Sequence, residues 1–313
     1  MSEPIKVLIA DDMSKKAVDL LTGAGFSVDF KVGMKPEELA AVVGQYHGLG
    51  IRSASKVTAA TLANPGKLKI IGRAGVGVDN IDVKVANEKG VLVINTPQGN
   101  AAAAAELAIG FVFALARKIP QAVESFKQGA WEKKKFMGVE VAGKTLGVIG
   151  LGNIGRNAAQ RGVGIGMNVI GYDPFPPKEV PAGVKLVSLD EIITKSDFVT
   201  LHVPLTDGTR NLFNAETLAK MKKGAYLINC ARGGIVDEAA LLGALQSGQL
   251  AGAALDVFSK EPPEASPLFQ HESFIGVPHL GASSKEAQEK VAIELAEVFI
   301  GFLKDGIVKN AVR

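Results

Sequence analysis

The run "TLGVIGLGNIGRNAAQ" sets Gly150, Gly152 and Gly155 in G-x-G-x-x-G spacing, after an apolar strand and into a helix. Each glycine has a task in a dinucleotide fold: the first makes the tight turn, the second admits the pyrophosphate, and the third lets helix and strand pack closely. The phosphates then meet the unpaired N–H groups and positive dipole end of the helix that begins at Asn153 and Ile154. The next strand, "NVIGYD", ends at Asp173, close to the about 20 residues beyond the motif where an acid meets the adenosine ribose hydroxyls. A carboxylate there repels a 2′-phosphate, so the expected cofactor is NAD rather than NADP.

Two further stretches could do chemistry. "RAGVGVDN", Arg73 to Asn80, sets a glycine-rich bend beside an arginine, which suits an anion: the bend offers backbone N–H groups and Arg73 a guanidinium. Proton exchange at a hydroxyl calls for an acid/base, and histidine is the side chain tuned for it near neutral pH. Of the four histidines, His279 in "GVPHLGAS" and His202 in "TLHVP" each close a strand, where sites gather in doubly wound folds. They are rivals on the residues alone; His47 and His271 read as surface or loop positions. Cys230 has no evident base partner and reads as a small packing residue.

These groups sit in a chain of 313 residues, long for one core and comfortable for two domains. With 47% hydrophobic residues it has no disordered character, and 35 Lys plus Arg against 32 Asp plus Glu is too balanced to argue for nucleic acid. A single cysteine excludes an intramolecular disulfide framework and fits a reducing compartment. The head of the chain, "MSEPIKVLIADD", lacks a signal-peptide apolar region, and "AAAAAELAIGFVFALARK" is too short and too charged to span a bilayer. A cytoplasmic protein with no membrane, nucleic-acid or metal partner is expected.

Strand and helix patterns alternate through the first hundred residues: "IKVLIA", then "SKKAVDLLTGAG" with Ser14 as its N-cap, "FSVDF", and "KPEELAAVVGQ". "HGLGIR", "VTAATLAN", "KLKIIG" and "GVLVINTP" continue the alternation. A long alanine-rich helix from about Asn100 to Lys118 and a polar irregular stretch follow, then a second alternating series from "KTLGVIG" to "FIGVPHL". Such alternation implies right-handed crossovers and parallel sheets, hence an α/β fold. The amphipathic final helix, "SKEAQEKVAIELAEVFIGFLKDG", is expected to return to the first domain. The expected division is 1–98 with 284–313 as substrate-binding domain and 99–283 as NAD-binding domain.

"NCARGGIVDEAAL", "AALDVFSKEPP" and "PHLGAS", with "IRSASKVTAATL", "GRAGVGVDNID" and "NTPQGNAAAAAELA", together resemble the D-2-hydroxyacid dehydrogenase family over nearly the whole length. The resemblance implies two doubly wound parallel-sheet domains, a discontinuous flavodoxin-like substrate domain and an inserted Rossmann domain, with the active site in the cleft between them. It places a catalytic trio on Arg232, Glu261 and His279. His279 would take the hydroxyl proton as hydride leaves for the nicotinamide, Glu261 would favour and orient the protonated imidazole, and Arg232 would fork the carboxylate and developing carbonyl. It adds Pro204, Cys230, Asp256 and Ala282 to the cofactor site.

By the same resemblance the "RAGVGVDN" loop offers backbone N–H groups to the substrate carboxylate, with Gly75 and Val76 at the substrate and the turn glycines Gly75 and Gly77 there for close approach. Arg52, Ser53, Arg73, Asn100 and Lys133 take a terminal phosphate, Lys133 from a loop that reaches toward a partner subunit in relatives. The implied reaction is oxidation of 3-phospho-D-glycerate to 3-phosphohydroxypyruvate, the entry to serine synthesis, by a homodimer. A glyoxylate or hydroxypyruvate reductase, or an NAD(H)-sensing corepressor, are the alternatives. Three departures from close relatives stand out: Lys133 where arginine is common, Ala101 where a hydroxyl is common, and Val76 in place of threonine. Long relatives continue into serine-binding domains, and feedback by that route is not expected from these residues.

Overall fold

The computed structural model describes residues 4–312; Met1, Ser2 and Glu3, at the head of the first apolar run, and Arg313 lie outside the described residues. The chain divides into two compact units, unit 1 running up to Asn100 and resuming at Ala282, unit 2 spanning Ala101–Gly281.

Unit 1 begins with β1 (Lys6–Ile9), β2 (Ser27–Phe30), β3 (Gly48–Ile51), β4 (Ile70–Arg73) and β5 (Leu92–Asn95), joined through α1 (Lys16–Gly23), α2 (Pro36–Val42) and α3 (Val83–Glu88). The strands pair in parallel in the order β2-β1-β3-β4-β5, the flavodoxin-like arrangement. All four residues of β3 are buried, as a parallel strand covered on both faces requires.

Unit 2 holds β6 (Thr145–Ile149), β7 (Asn168–Tyr172), β8 (Val184–Leu186), β9 (Phe198–Leu201), β10 (Ala225–Asn229), β11 (Leu250–Leu255) and β12 (Phe274–Gly276). They form one parallel sheet in the order β8-β7-β6-β9-β10-β11-β12, so the winding reverses between β6 and β9. The helices are α4 (Ala101–Ala116), α5 (Ile119–Lys127), α6 (Asn153–Gly164), α7 (Leu189–Lys195), α8 (Ala215–Lys220) and α9 (Glu238–Gln246). α4 covers one face through Ala108, Val112 and Leu115 against Leu146, Val148 and Phe198. The other face is filled by Val199, Leu201 and Leu227 with Phe213 and Leu241.

The chain returns to unit 1 as α10 (Lys285–Asp305) and β13 (Ala311–Val312), the latter antiparallel to β5. α10 lies close on the sheet because β4 carries Gly72. A Cβ there would stand 2.5 Å from the Phe299 ring.

Local detail departs from the sequence pattern in four places. α1 starts at Lys16 behind Lys15, without a side-chain cap, and Ser14 Oγ meets the Lys16 N–H only at 3.4 Å, so Ser14 is not its N-cap. "VTAATLAN" makes turns, not a helix: Leu62 N–H reaches Thr58 C=O at 3.1 Å, and Pro65 with left-handed Gly66 ends the turn. Lys118 adopts a left-handed backbone (φ 51°) that breaks the long helix, and α5 follows it as a separate element. β13 completes the first sheet from a segment too short for a strand signal. No helix among the described residues is long and apolar enough to cross a membrane.

Candidate active site

The dinucleotide loop joins β6 to α6 at the winding switch. Gly150 has φ of 93°, and its N–H is held by Tyr172 C=O at 2.7 Å. A Cβ on Gly155 would stand 1.8 Å from the Gly150 carbonyl oxygen, and one on Gly150 2.6 Å from the His202 carbonyl oxygen. These two glycines therefore allow backbone to pack on backbone. Gly152 differs: nothing lies within 4 Å of the Cβ position, and the residue is exposed. That open ground beside the first N–H groups of α6 is where a pyrophosphate would approach, so the residues present fit a dinucleotide.

Asp173 closes the loop from β7. Its Oδ2 accepts from Leu151 N–H at 2.7 Å and its Oδ1 from Phe175 N–H at 2.8 Å. Arg156, one turn into α6, donates to Asn153 Oδ1 at 2.9 Å. Sequence reasoning missed this cation because the glycine template ends at Gly155; the arginine directly after the motif was the available signal. Ile154 is half-buried in the same turn, and Pro204 is exposed after β9.

The rival histidines separate clearly. His202 Nε2 pairs with Thr200 Oγ1 at 3.0 Å, and its Nδ1 is sealed from solvent with no hydrogen-bond partner among the described residues. Burial pushes its pKa down to about 4, so it is a neutral structural group under the glycine loop. His47 accepts the backbone N–H of Lys6 and His271 that of nearby Ser273.

His279 is presented differently. It follows β12 with a left-handed backbone (φ 53°), its N–H bonded to the Asp256 C=O at 3.0 Å, and its side chain is half-exposed. Asp256 is fully buried, and its two oxygens take the next two amides, Leu280 at 2.5 Å and Gly281 at 2.8 Å. Burial raises its pKa while those two N–H bonds work to lower it. Asp256 thus holds the His279 turn.

Glu261 Oε2 lies 2.7 Å from His279 Nδ1 while its Oε1 accepts from Phe258 N–H at 3.1 Å. A carboxylate at Nδ1 makes Nδ1 the donor and leaves Nε2 for proton exchange. The Arg232 loop is clamped by buried Asn229, whose Nδ2 donates to Arg232 C=O at 2.8 Å and whose Oδ1 accepts from Ala231 N–H at 2.9 Å. A Cβ on Gly233 would overlap the Phe258 carbonyl at 1.8 Å, so only glycine lets this loop lie against the segment leading to Glu261. Cys230, buried beside it, has its thiol pKa pushed up by burial and stays protonated.

Unit 1 gathers most of the expected substrate residues at the ends of β3 and β4. Arg52 is half-buried with Nη1 donating to Asp12 C=O at 3.0 Å, and Ser53 is exposed. The Arg73 guanidinium lies over Gly75 (φ 154°), 2.7 Å from where a Cβ would stand. Within that bend the Gly75 N–H is held by the buried Thr96 Oγ1 at 2.7 Å. The N–H groups of Val76, Gly77 and Val78 in the bend meet no acceptor among the described residues. Asn100 is buried with its Oδ1 unpaired among the described residues. Ala282 belongs to unit 1, and Lys133 sits in an exposed turn of unit 2.

Residues 109–281, more than half of the chain, match the family model for the D-isomer specific 2-hydroxyacid dehydrogenase, NAD binding domain. The chain belongs to the D-isomer specific 2-hydroxyacid dehydrogenase family. It is 52% identical over 310 residues to a D-3-phosphoglycerate dehydrogenase of Homo sapiens, covering 98% of this chain and 58% of that protein. It is 47% identical to one of Methanocaldococcus jannaschii, covering 99% and 59%. The chain therefore spans a little under three-fifths of the length of these relatives. Among solved structures it resembles the TT0316 protein of Thermus thermophilus (33% identity, TM-score 0.90, covering 99% and 100%). A glyoxylate reductase from Paecilomyes thermophila is similarly close (29%, TM-score 0.91, 99% of each chain). Within the family's frame, NAD is the cofactor that unit 2 is built to hold.

Proposed function

We propose that this 2-hydroxyacid dehydrogenase chain oxidises 3-phospho-D-glycerate to 3-phosphohydroxypyruvate. The observation that carries the reading is the Glu261–His279 pair at 2.7 Å, set on a left-handed turn beside the Arg232 loop, in a chain about half identical to proteins of that activity.

The chemistry that bound NAD supplies is acceptance of a hydride from the substrate's hydroxyl-bearing carbon. Gly152 gives the pyrophosphate its close approach, the α6 N–H groups and Arg156 meet its charge, and Asp173 takes the ribose hydroxyls and disfavours a 2′-phosphate. Asn153, Ile154, Pro204 and Cys230 line the remainder. Glu261 holds the His279 Nδ1 proton, so Nε2 removes the hydroxyl proton and Glu261 stabilises the resulting imidazolium. Arg232 offers a planar fork to the carboxylate and to the oxygen that becomes a carbonyl. The free amides of the bend take the carboxylate, and Arg52, Ser53, Arg73, Asn100 and Lys133 take the phosphate. Lysine supplies charge at that position without an arginine's two-pronged geometry, so a KM higher than that of arginine-bearing relatives is expected.

A homodimer in the cytoplasm belongs to the same reading. Exposed Phe113, Ile119, Val123 and Phe126 form an apolar face on α4 and α5, next to exposed Trp131 and Met137, and a second copy would cover it. Reduction of glyoxylate is the second reading, favoured by the structural likeness to a glyoxylate reductase. The deciding assay follows NADH formation from phosphoglycerate and NAD, with NADP and with glyoxylate plus NADH as separate arms. Turnover with phosphoglycerate and NAD, lost in His279→Ala, supports the proposal; turnover with glyoxylate alone sinks it.

A further inference from the structure

We propose that Asn80 is a positioning residue for the substrate's anionic groups: it fastens the Arg52–Ser55 loop to the Arg73–Asn80 bend, so that the two act as one surface. Its Nδ2 donates to two carbonyls of the other loop, Arg52 at 2.7 Å and Ser55 at 2.6 Å. Its Oδ1 is buried and meets no partner among the described residues, so the amide is oriented wholly by those two bonds. Turning it over would aim an oxygen at two carbonyl oxygens. The Asn80 carbonyl also accepts from Val57 N–H at 2.9 Å, which extends the join along the backbone.

The opposite side of the loop is held by Asp11, 2% exposed. Its oxygens take Arg52 N–H at 2.6 Å, Ser55 N–H at 3.1 Å and Ser55 Oγ at 2.5 Å. The loop's carbonyls are thus fixed by Asn80 and its amides by Asp11, which leaves the Arg52 side chain and exposed Ser53 to project. The bend is pinned at its other end as well, by Thr96 on Gly75 and by Asn95 Nδ2 on the Val76 carbonyl at 2.6 Å. Between the pins the N–H groups of Val76, Gly77 and Val78 meet no acceptor among the described residues. Asn80 touches no substrate in this scheme; it acts through Arg52 and through those amides.

The inference rests on the reading of Arg52, Val76 and Gly77 as anion binders, and the test separates the two. Full-length Asn80→Ala and Asn80→Asp are assayed with phosphoglycerate plus NAD and with glyoxylate plus NADH, alongside NADH affinity and thermal unfolding. Loss of two buried donor bonds predicts a KM rise of about 10-fold or more on substrate, larger for Asn80→Asp, with NADH affinity within about twofold of wild type. Combining Asn80→Ala with Arg52→Gln should cost less than the product of the single effects, since both act through one loop. Ser55→Ala loosens the same loop from the Asp11 side and should raise KM more mildly, which keeps the idea testable if Asn80→Ala folds poorly. An unchanged KM with only a lower melting temperature or lower kcat would reduce Asn80 to packing and overturn the proposal. If wild type reduces glyoxylate but ignores phosphoglycerate, the substrate reading fails while the glyoxylate KM still judges Asn80. Turnover of neither overturns both.

Discussion

Glu261→Gln isolates the tautomer argument. Glu261 uses both oxygens, Oε1 on Phe258 N–H at 3.1 Å and Oε2 on His279 Nδ1 at 2.7 Å. An amide of the same shape has one oxygen, and Phe258 N–H can only be satisfied by it. The NH2 then faces His279 Nδ1, which must become an acceptor, and the ring proton moves to Nε2. The nitrogen needed to remove the hydroxyl proton is occupied. A second loss comes from the carboxylate charge that steadies the imidazolium. Both side chains are more than a third exposed, so solvent screening holds that part to about 1 kcal/mol, or several-fold. Loss of base function is worth about 100- to 10,000-fold, so kcat for oxidation should fall at least about 100-fold. The assay is steady-state kcat in both directions, with NADH affinity measured by fluorescence. NADH affinity should hold, since Glu261 touches none of the glycine loop. A fall of less than about 5-fold in kcat would refute the assignment of Nε2 as base and of Glu261 as the group that keeps it free.

Gly152→Val should weaken NADH binding by about 10-fold or more with little change in melting temperature, because its Cβ enters open ground. Gly155→Ala should instead lower stability by several kcal/mol, on the order of the large backbone clashes, since the new atom overlaps the Gly150 carbonyl; calorimetry of the pair checks the contrast. For His202 the folded pKa of about 4 lies below the ordinary 6.5, so as pH falls through that window the unfolded chain binds the proton first. Its contribution to stability is full above pH 6.5 and drains toward pH 4, by about 3 kcal/mol in all. Urea unfolding across that range should show a flatter dependence for His202→Gln than for wild type. Trp131→Glu should shift the protein toward monomer in sedimentation if the α5 face and its neighbouring loop meet a second copy.

The order of the elements was legible because parallel strands carry their signal along the chain: "KVLI", "GLGI" and "TLGVI" are continuous buried runs, and helices lie between them. Where the signal failed, tertiary contacts had taken over. "VTAATLAN" has helical residue types, but the Thr58 and Thr61 hydroxyls satisfy local groups and Gly66 must approach Gly44, whose carbonyl oxygen lies 2.4 Å from its Cβ position. β13 is two residues long and exists because β5 had an open edge; no two-residue pattern can announce that.

The site shows the same division between local and distant causes. Gly150, Gly152 and Gly155 are readable from their spacing within one short stretch, and the first two are distinguished only by what lies beyond them: the His202 backbone against open ground. Position alone leaves His202 and His279 equal, as both end strands, and the family motif around His279 was what separated them in the sequence. Their surroundings differ: Thr200, two residues away, and enclosure hold His202 neutral, while Glu261 and Asp256, about 20 residues back, present His279. In the "RAGVGVDN" bend the Gly75 N–H belongs to Thr96, 21 residues on, so the amides left without an acceptor lie beyond it, at Val76, Gly77 and Val78. A glycine in such a bend signals close approach, but the partner in that approach can be the protein's own hydroxyl, and only the fold says which.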